Sequence, residues 1–338
     1  MAEVAVMGAG SWGTAIGMMC IDAGSSVVLW SRRQEITDEI NARHTNVAYL
    51  PEVVLPAQLR ASCDPAEALS GAQVVVLAVP SVGLEEQLAA WGAHIPAEVP
   101  LVSVIKGVEV DSQRFGSQIV AESLGCDPDR VVVLSGPNLA RECAARLPAA
   151  SVAASPRSEY AVLVQQAVMA PYFRVYTNLD KVGVEVAGAV KNVIAIAAGM
   201  AHGMGFGDNT KAAVLTRGLA EMTRLGVALG GNALTFAGLA GVGDLVATCT
   251  SPQSRNRTVG ERLGRGEDLE TIVNSMNMVA EGVRSSRAIL ALAEHVGVEM
   301  PITEGVVAVC HEGAKPHELS AALLAREAKP EMHGLEPR

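Results

Sequence analysis

Val-Ala-Val-Met-Gly-Ala-Gly-Ser-Trp-Gly-Thr-Ala, residues 4–15, joins an apolar run to a turn with three glycines and the start of a helical pattern. Gly8 permits a tight turn, Gly10 lets backbone approach a pyrophosphate, and Gly13 allows the helix to pack closely on the strand. The N-terminus of that helix directs N–H groups and partial positive charge at phosphates. The stretch therefore predicts a dinucleotide-binding turn, with a glycine-rich turn that binds no ligand as the alternative.

Further apolar runs are typical of strands buried on both faces of a parallel sheet. They cover residues 27–30, 74–79, 101–105 and 131–134, and residues 150–154 and 173–176 are candidates for two more. Helical patterns lie between the runs, as crossover connections require, whereas residues 49–59 read as an irregular loop. Residues 1–180 are therefore predicted to form a Rossmann-type, doubly wound α/β domain that binds a dinucleotide.

From residue 181 onward the strand patterns stop, and residues 181–338 are predicted to form an all-α substrate domain. Residues 182–204 are rich in Ala and Gly, which indicates a buried helix that neighbouring helices approach closely. Asp208 and Asn209 are expected to cap a helix over 210–229. Residues 238–250 are punctuated by glycine and read as a turn region.

Composition excludes several classes of protein. The chain has 338 residues and a formal net charge of −10, which argues against a nucleic-acid-binding surface. We find no uncharged apolar run long enough for a membrane span and no signal peptide. The six cysteines are scattered, which favours reduced thiols and no metal site. We expect a cytoplasmic enzyme without stable membrane insertion.

The end of the second strand bears on cofactor choice. An acidic residue at this position would bind the 2′-hydroxyl of NAD, but the chain has Ser31, Arg32 and Arg33 there. Guanidinium groups pair with a 2′-phosphate, so these arginines favour NADPH, with NADH tolerated. The alternative is two exposed arginines at the start of a helix.

Lys191 is the strongest candidate for chemistry because a lysine inside an apolar, small-residue helix is costly unless it is paired or functional. Hydride transfer to a carbonyl needs a proton donor, and burial or a second cation such as Lys106 would lower the pKa of Lys191 for that task. Asp244 and Asn192 could orient its ammonium. The alternative is a snorkelling lysine balanced by Glu185.

A second cluster consists of Ser254, Arg255 and Asn256. It lies at the predicted start of a helix that ends near Gly264. An arginine fork beside free helical N–H groups is suited to a phosphate. A plain helix cap with exposed arginines remains the alternative.

Taken together, these motifs resemble one family in their order along nearly the whole chain. They are the glycine turn of 8–15, Lys106-Gly107, Ser135-Gly136-Pro137-Asn138, Lys191-Asn192, the 241–245 run, Ser254-Arg255-Asn256 and Val279-Ala280-Glu281-Gly282. The chain resembles bacterial NAD(P)-dependent glycerol-3-phosphate dehydrogenase, which has a 6-phosphogluconate dehydrogenase-like fold.

The resemblance implies reversible reduction of dihydroxyacetone phosphate to sn-glycerol 3-phosphate for glycerophospholipid synthesis, by a homodimer. It implies Lys191 as the proton acceptor in the oxidation direction. It implies cofactor contacts from Gly8, Gly10, Ser11, Trp12, Gly13, Arg32, Arg33, Lys106, Ala140, Arg255, Val279 and Glu281. It implies substrate contacts from Lys106, Gly136, Asn138, Lys191, Asp244, Ser254, Arg255 and Asn256. Many family members carry Ser or Thr where this chain has Asn138.

Two other functions stay open at this point. A 3-hydroxyacid dehydrogenase or ketopantoate reductase would share the two-domain plan and use similar cations on a carboxylate substrate. A redox sensor that binds NAD(P)H without turnover would not need a buried lysine.

The arginines after the second strand predict a lower KM for NADPH than for NADH, because they attract the 2′-phosphate that only NADPH carries. Steady-state KM values for the two cofactors test this prediction. A clear preference for NADH would contradict it.

Overall fold

The protein is described here by a computed structural model that covers residues 2–276, 280–331 and 333–334. Contacts among these residues define two compact units. The first comprises the chain up to Ile105 together with Phe115–Lys181, and the second comprises Lys106–Arg114 together with the chain from Val182. The short segment that carries Lys106 therefore belongs to the second unit, although the strand before it belongs to the first.

The first unit is built on one sheet with the strand order β3-β2-β1-β4-β5-β6-β7-β8. The strands are β1 Glu3–Met7, β2 Ser26–Trp30, β3 Arg60–Ser62, β4 Val74–Leu77, β5 Leu101–Ser103, β6 Val131–Ser135, β7 Ala149–Ala154 and β8 Phe173–Asn178. Neighbouring strands from β3 to β6 are parallel, β7 runs antiparallel to β6, and β8 is parallel to β7. This sheet confirms the predicted strands and adds β3.

Helices cover both faces of the sheet. They are α1 Ser11–Asp22, α2 Gln34–Arg43, α3 Pro65–Leu69, α4 Leu84–Trp91, α5 Gly116–Leu124, α6 Ala140–Ala144 and α7 Ser158–Val168. Alternate residues of β1 and β4 point into two separate cores, one packed on α1 and α7 and the other on α3, α4 and α5. The first unit is therefore doubly wound, as predicted from its continuous apolar strands.

The second unit is helical in the part that is described. Its helices are α8 Lys181–Gly203, α9 Asp208–Ala228, α10 Ala233–Phe236, α11 Asp244–Thr250, α12 Arg255–Gly264, α13 Leu269–Asn274, α14 Glu281–His295, α15 Pro301–His311 and α16 Pro316–Leu324. Together with the doubly wound sheet, these helices confirm the predicted fold class.

Glycines bring α8 and α12 into direct backbone contact. A Cβ atom on Gly199 or Gly203 would lie 2.1 Å from the carbonyl oxygen of Arg257 or Glu261, respectively. In return, a Cβ atom on Gly260 would lie 2.0 Å from the carbonyl oxygen of Ile196. The predicted close approach of helices to the small-residue segment is confirmed, and it fixes α12 against the C-terminal half of α8.

Two local predictions in the second unit are wrong. Gly207, not Asp208 or Asn209, is the N-cap of α9, because the helix already begins at Asp208. Residues 238–250 are mostly helical: a π-helical turn over Leu239–Gly243 leads directly into α11. From sequence alone, a glycine is usually read as a turn signal. Gly241 instead serves close packing: its backbone lies against that of Phe236, where a side chain would not fit.

Two stretches, Lys181–Gly203 and Ala233–Thr250, are long and apolar enough to cross a membrane by length and composition. In the first, 94% of the most apolar window is buried within the protein, which identifies α8 as a core helix. The second is divided between α10, the π-helical turn and α11, and 44% of its window is buried.

The contact between α8 and α12 predicts that Gly199→Ala lowers the free energy of unfolding by about 1–3 kcal/mol or more, because its methyl group would overlap a backbone carbonyl. Urea unfolding measures the loss. Gly207→Ser is the matched control, since no atom lies within 4 Å of a Cβ atom there and serine is a favourable N-cap residue. Equal stability of the two variants would contradict the proposed packing constraint.

Candidate functional site

The glycine turn of the first unit has the sterics that a bound pyrophosphate requires. A Cβ atom on Gly8, whose φ is +131°, would lie 2.5 Å from the carbonyl oxygen of Ala78, and one on Gly13 would lie 1.9 Å from that of Gly8. A Cβ atom on Gly10, in contrast, would have no neighbour within 4 Å. The turn is packed tightly from behind and is open at Gly10, so its residues fit a dinucleotide phosphate.

The start of α1 adds donors to this turn. Gly10 is the N-cap and supplies no side chain to the first helical N–H groups. The hydroxyl of Ser11 donates to the carbonyl of Tyr49 at 2.8 Å. The indole Nε1 of Trp12 is buried and has no hydrogen-bond partner among the described residues. This end of the helix is therefore suited to an anion.

Two arginines follow β2, as the sequence indicates. Arg32 is exposed. Arg33 is the N-cap of α2, and its guanidinium lies 5.3 Å from the centre of the Tyr49 ring and 3.7 Å from the carboxylate of Glu35. The side chain of Arg33 is thus partly engaged by its own surroundings.

The remaining predicted residues of the first unit lie after β6. Gly136 is buried, and a Cβ atom there would lie 2.9 Å from the Cα atom of Ser151. The amide of Asn138 donates to the carbonyl of Ala150 at 2.9 Å and accepts from the hydroxyl of Ser151 at 2.9 Å. Asn138 thereby holds the loop after β6 against β7. Ala140 is the first residue of α6.

The second unit brings together three charged groups from distant parts of the chain. The carboxylate of Asp244 accepts from the Lys191 ammonium at 2.5 Å and from the Lys106 ammonium at 2.8 Å, one to each oxygen. Lys191 and Asp244 are 5% and 1% exposed, so this ion pair is buried and Lys191 does not snorkel to the surface. We call Lys106, Lys191 and Asp244 the charged triad.

Burial lowers the pKa of the Lys191 ammonium to about 8, with the attraction of Asp244 opposing the shift and the repulsion of Lys106 adding to it. Burial alone would raise the pKa of Asp244, but the two ammonium groups outweigh it and hold that pKa below its usual value. The Lys191 ammonium can therefore release its proton near neutral pH.

A chain of amide hydrogen bonds supports the charged triad. The side chain of Asn192 donates to the carbonyl of Lys106 at 3.0 Å and accepts from the amide of Asn256 at 2.9 Å. Asn256 in turn accepts from the backbone N–H of Gly282 at 3.0 Å. Asn192, predicted to orient the ammonium of Lys191, instead holds the backbone of Lys106.

The predicted phosphate cluster lies at the start of α12. The hydroxyl of Ser254, the N-cap, accepts from the backbone N–H of Arg257. Arg255 is exposed to solvent. Desolvation by the surrounding protein nevertheless lowers the pKa of its guanidinium, and the negative charge of Glu281 opposes that shift. Burial raises the pKa of Glu281, and Arg255 opposes that shift. Val279 lies outside the described residues.

Thr248 is a site residue that the sequence reasoning missed. Its hydroxyl accepts from the Lys191 ammonium at 2.8 Å and donates to the carboxylate of Asp244 at 3.2 Å. Thr248 stands four residues after Asp244, which puts both on one face of α11. The four-residue spacing of Asp244 and Thr248 was not recognised because the segment was interpreted as a turn and not as a helix. No group of three metal-ligating side chains is found in the described ranges.

The chain is similar to known proteins over nearly its whole length. Family models described as the N-terminus and C-terminus of NAD-dependent glycerol-3-phosphate dehydrogenase match residues 3–161 and 180–321. The chain is 55% identical over 332 residues to glycerol-3-phosphate dehydrogenase [NAD(P)+] of Corynebacterium jeikeium, which covers 98% of this chain and 100% of that protein.

Solved structures similar to this chain include one that is also similar in sequence and one that is similar in fold only. The crystal structure of glycerol-3-phosphate dehydrogenase from Coxiella burnetii has a TM-score of 0.90 and 39% identity, covering 96% of this chain and 99% of that one. A ketopantoate reductase from Ralstonia eutropha has a TM-score of 0.59 and 18% identity, covering 94% of this chain and 99% of that one. The second likeness shows the shared fold alone.

The charged triad predicts opposite pKa shifts in two variants. Lys106→Met removes a repulsive charge and should raise the pKa of Lys191 above about 8, whereas Asp244→Asn removes the attractive charge and should lower it. NMR titration of ¹³C-labelled lysine, assigned with Lys191→Met, measures the values. Shifts in the same direction, or a Lys191 pKa near 10.5 in the unaltered protein, would contradict the described coupling.

Proposed function

The chain belongs to the NAD-dependent glycerol-3-phosphate dehydrogenase family, and on that premise we propose that it reversibly reduces dihydroxyacetone phosphate to sn-glycerol 3-phosphate with NAD(P)H. The observation that carries the proposal is the buried ammonium of Lys191, whose pKa of about 8 suits proton transfer near neutral pH.

Lys191 acts as the general acid and base. In reduction its ammonium gives a proton to the carbonyl oxygen as that oxygen gains charge, and in oxidation the neutral amine takes the hydroxyl proton. Asp244 and Thr248 hold its Nζ atom in place. The charged triad carries two positive charges and one negative charge, so a net positive charge remains to stabilise the developing alkoxide.

Cations in the second unit bind the substrate phosphate. An acidic protein needs local positive charge to hold an anion against its overall field. Arg255 offers a fork of donors at the first turn of α12, and Ser254 and Asn256 flank it. In this proposal Gly136, Asn138, Lys106 and Asp244 complete the substrate contacts, and Asn256 serves mainly by fixing Asn192 and Gly282, because its amide is occupied by them.

The first unit binds the cofactor through its glycine turn. When bound, the nicotinamide cofactor supplies or accepts the hydride. Gly8, Gly10 and Gly13 shape the turn, the first helical N–H groups at Ser11 and Trp12 bind the pyrophosphate, and Arg32 and Arg33 favour NADPH. Ala140, Lys106, Arg255, Val279 and Glu281 are the other proposed cofactor contacts.

Further parts of the proposal come from the sequence and the family resemblance. Residues 1–180 serve as the dinucleotide-binding domain and residues 181–338 as the substrate domain. The enzyme is a cytoplasmic homodimer that supplies sn-glycerol 3-phosphate for glycerophospholipid synthesis.

The proposed reaction predicts NADPH oxidation with dihydroxyacetone phosphate and none with 2-keto or 3-keto acids, because the substrate site is built for a phosphate. Absorbance at the nicotinamide band measures turnover for each substrate. Turnover with a keto acid alone would assign the chain to another reductase, and cofactor binding without any turnover would support a sensor.

Lys191→Ala tests the residue that carries the mechanism. It should lower kcat about a hundredfold or more, because the proton donor is lost, and leave the cofactor Kd near that of the unaltered enzyme, because Lys191 is not among the proposed cofactor contacts. Lys211→Ala, which removes a partly exposed lysine paired with Asp208, is the matched control and should keep full activity. A kcat for Lys191→Ala within a few fold of the control would overturn the assigned role.

A further inference from the structure

Asn46 lies outside every motif of the sequence, yet its side chain contacts the glycine turn. Its exposed fraction is 0%, and its amide nitrogen donates to the carbonyl of Ala9 at 3.0 Å and to the hydroxyl of Thr14 at 2.9 Å. Ala9 is the residue between Gly8 and Gly10, and Thr14 lies in the first turns of α1. One buried amide thus bridges the turn and the helix that follows it.

The chemistry of the partners fixes the orientation of this amide. A backbone carbonyl only accepts, so the NH₂ group of Asn46 must face Ala9. The Oδ1 atom is then buried with no hydrogen-bond partner among the described residues. A buried amide oxygen without a partner costs free energy, which indicates that the two donated bonds have a use beyond stability.

The contact with Ala9 sets the direction of the next N–H group. The peptide between Ala9 and Gly10 is trans and planar, so its N–H points opposite to its C=O. With the carbonyl held by Asn46, the N–H of Gly10 points away from Asn46. No hydrogen bond to that N–H is found in the part of the chain that is described, and Gly10 has open space beside it.

The loop that carries Asn46 is itself held in place. The carbonyl of Asn46 accepts from the N–H groups of Tyr49 at 3.1 Å and Leu50 at 2.8 Å. The carbonyl of Tyr49 accepts from the hydroxyl of Ser11, at the first position of α1. The segment 46–50 therefore supports the turn at two points, Ala9 and Ser11.

We propose that Asn46 is a positioning residue for cofactor binding, which aims the N–H of Gly10 at the pyrophosphate by holding the carbonyl of Ala9. This inference rests on the proposed placement of the pyrophosphate at the glycine turn. Asn46 touches neither the cofactor nor the substrate in this role, and it acts through the peptide plane.

The test measures binding of ligands with and without a pyrophosphate, in the absence of substrate. Kd values for NADPH are read from its fluorescence, and those for ADP and adenosine from competition. Asn46→Ala and Asn46→Leu, which removes the donor at nearly the same size and adds no charge, should each weaken NADPH and ADP about tenfold and leave adenosine within about twofold. If one of the two Asn46 variants does not fold, the Kd values of the other are compared with those of the unaltered protein.

Asn41→Ala is the matched control. The side-chain amide of Asn41, near the end of α2, likewise makes two hydrogen bonds, but both are to the backbone of Ala61 in β3, each at 2.9 Å. This variant should leave all three Kd values unchanged. An unaltered ADP Kd in the Asn46 variants, or equal weakening of ADP and adenosine, would overturn the role of Asn46.

Gly10→Val tests the proposed position of the pyrophosphate at the glycine turn independently of the role of Asn46. A side chain there would fill the open space, so NADPH and ADP binding should be lost. Retained binding would show that the pyrophosphate lies elsewhere, and both ideas would fail. Lost binding in Gly10→Val with intact binding in the Asn46 variants would reject the role of Asn46 alone.

Discussion

The carboxylate of Asp244 lies between the ammonium groups of Lys191 and Lys106, and the second unit depends on that interaction. Lys191 and Asp244 have left water almost completely, and a buried ion that loses its partner costs about 3–5 kcal/mol. The two lysines therefore cannot be separated from Asp244 without a large penalty. This arrangement leaves one excess positive charge, and the burial that accompanies it lowers the pKa of Lys191, so a constraint on folding also prepares the site for proton transfer.

The packing around the charged triad follows from this constraint. Lys106, Lys191 and Asp244 are far apart in the sequence, so three backbone segments must meet within hydrogen-bond distance. The glycines of α8 and α12 let those helices touch, which brings Asn256 to Asn192. Asn192 then holds the carbonyl of Lys106. A polar network of this kind is specified by long-range contacts and not by any local pattern.

The sequence predicted those parts of the site whose residues form a recognisable pattern within a short segment. Glycine spacing predicted the turn after β1, and a lysine in an apolar helix predicted a buried ammonium. It was misleading where glycine serves packing: the glycines over 238–250 suggested a turn, so α11 and the position of Thr248 were missed. β3 has only three residues and no distinct periodicity, and Asn46 acts over 37 positions, so neither left a signal that local reasoning could use.

The most direct test of the role of Lys191 is the pH dependence of kcat/KM for both directions of the reaction at saturating cofactor. Reduction needs the ammonium and should fall as pH rises through about 8, whereas oxidation needs the amine and should rise through the same pKa. The residual activity of Lys191→Ala should lack both inflections. Profiles that are flat from about pH 7 to 9, or inflections that persist without the lysine, would contradict the account.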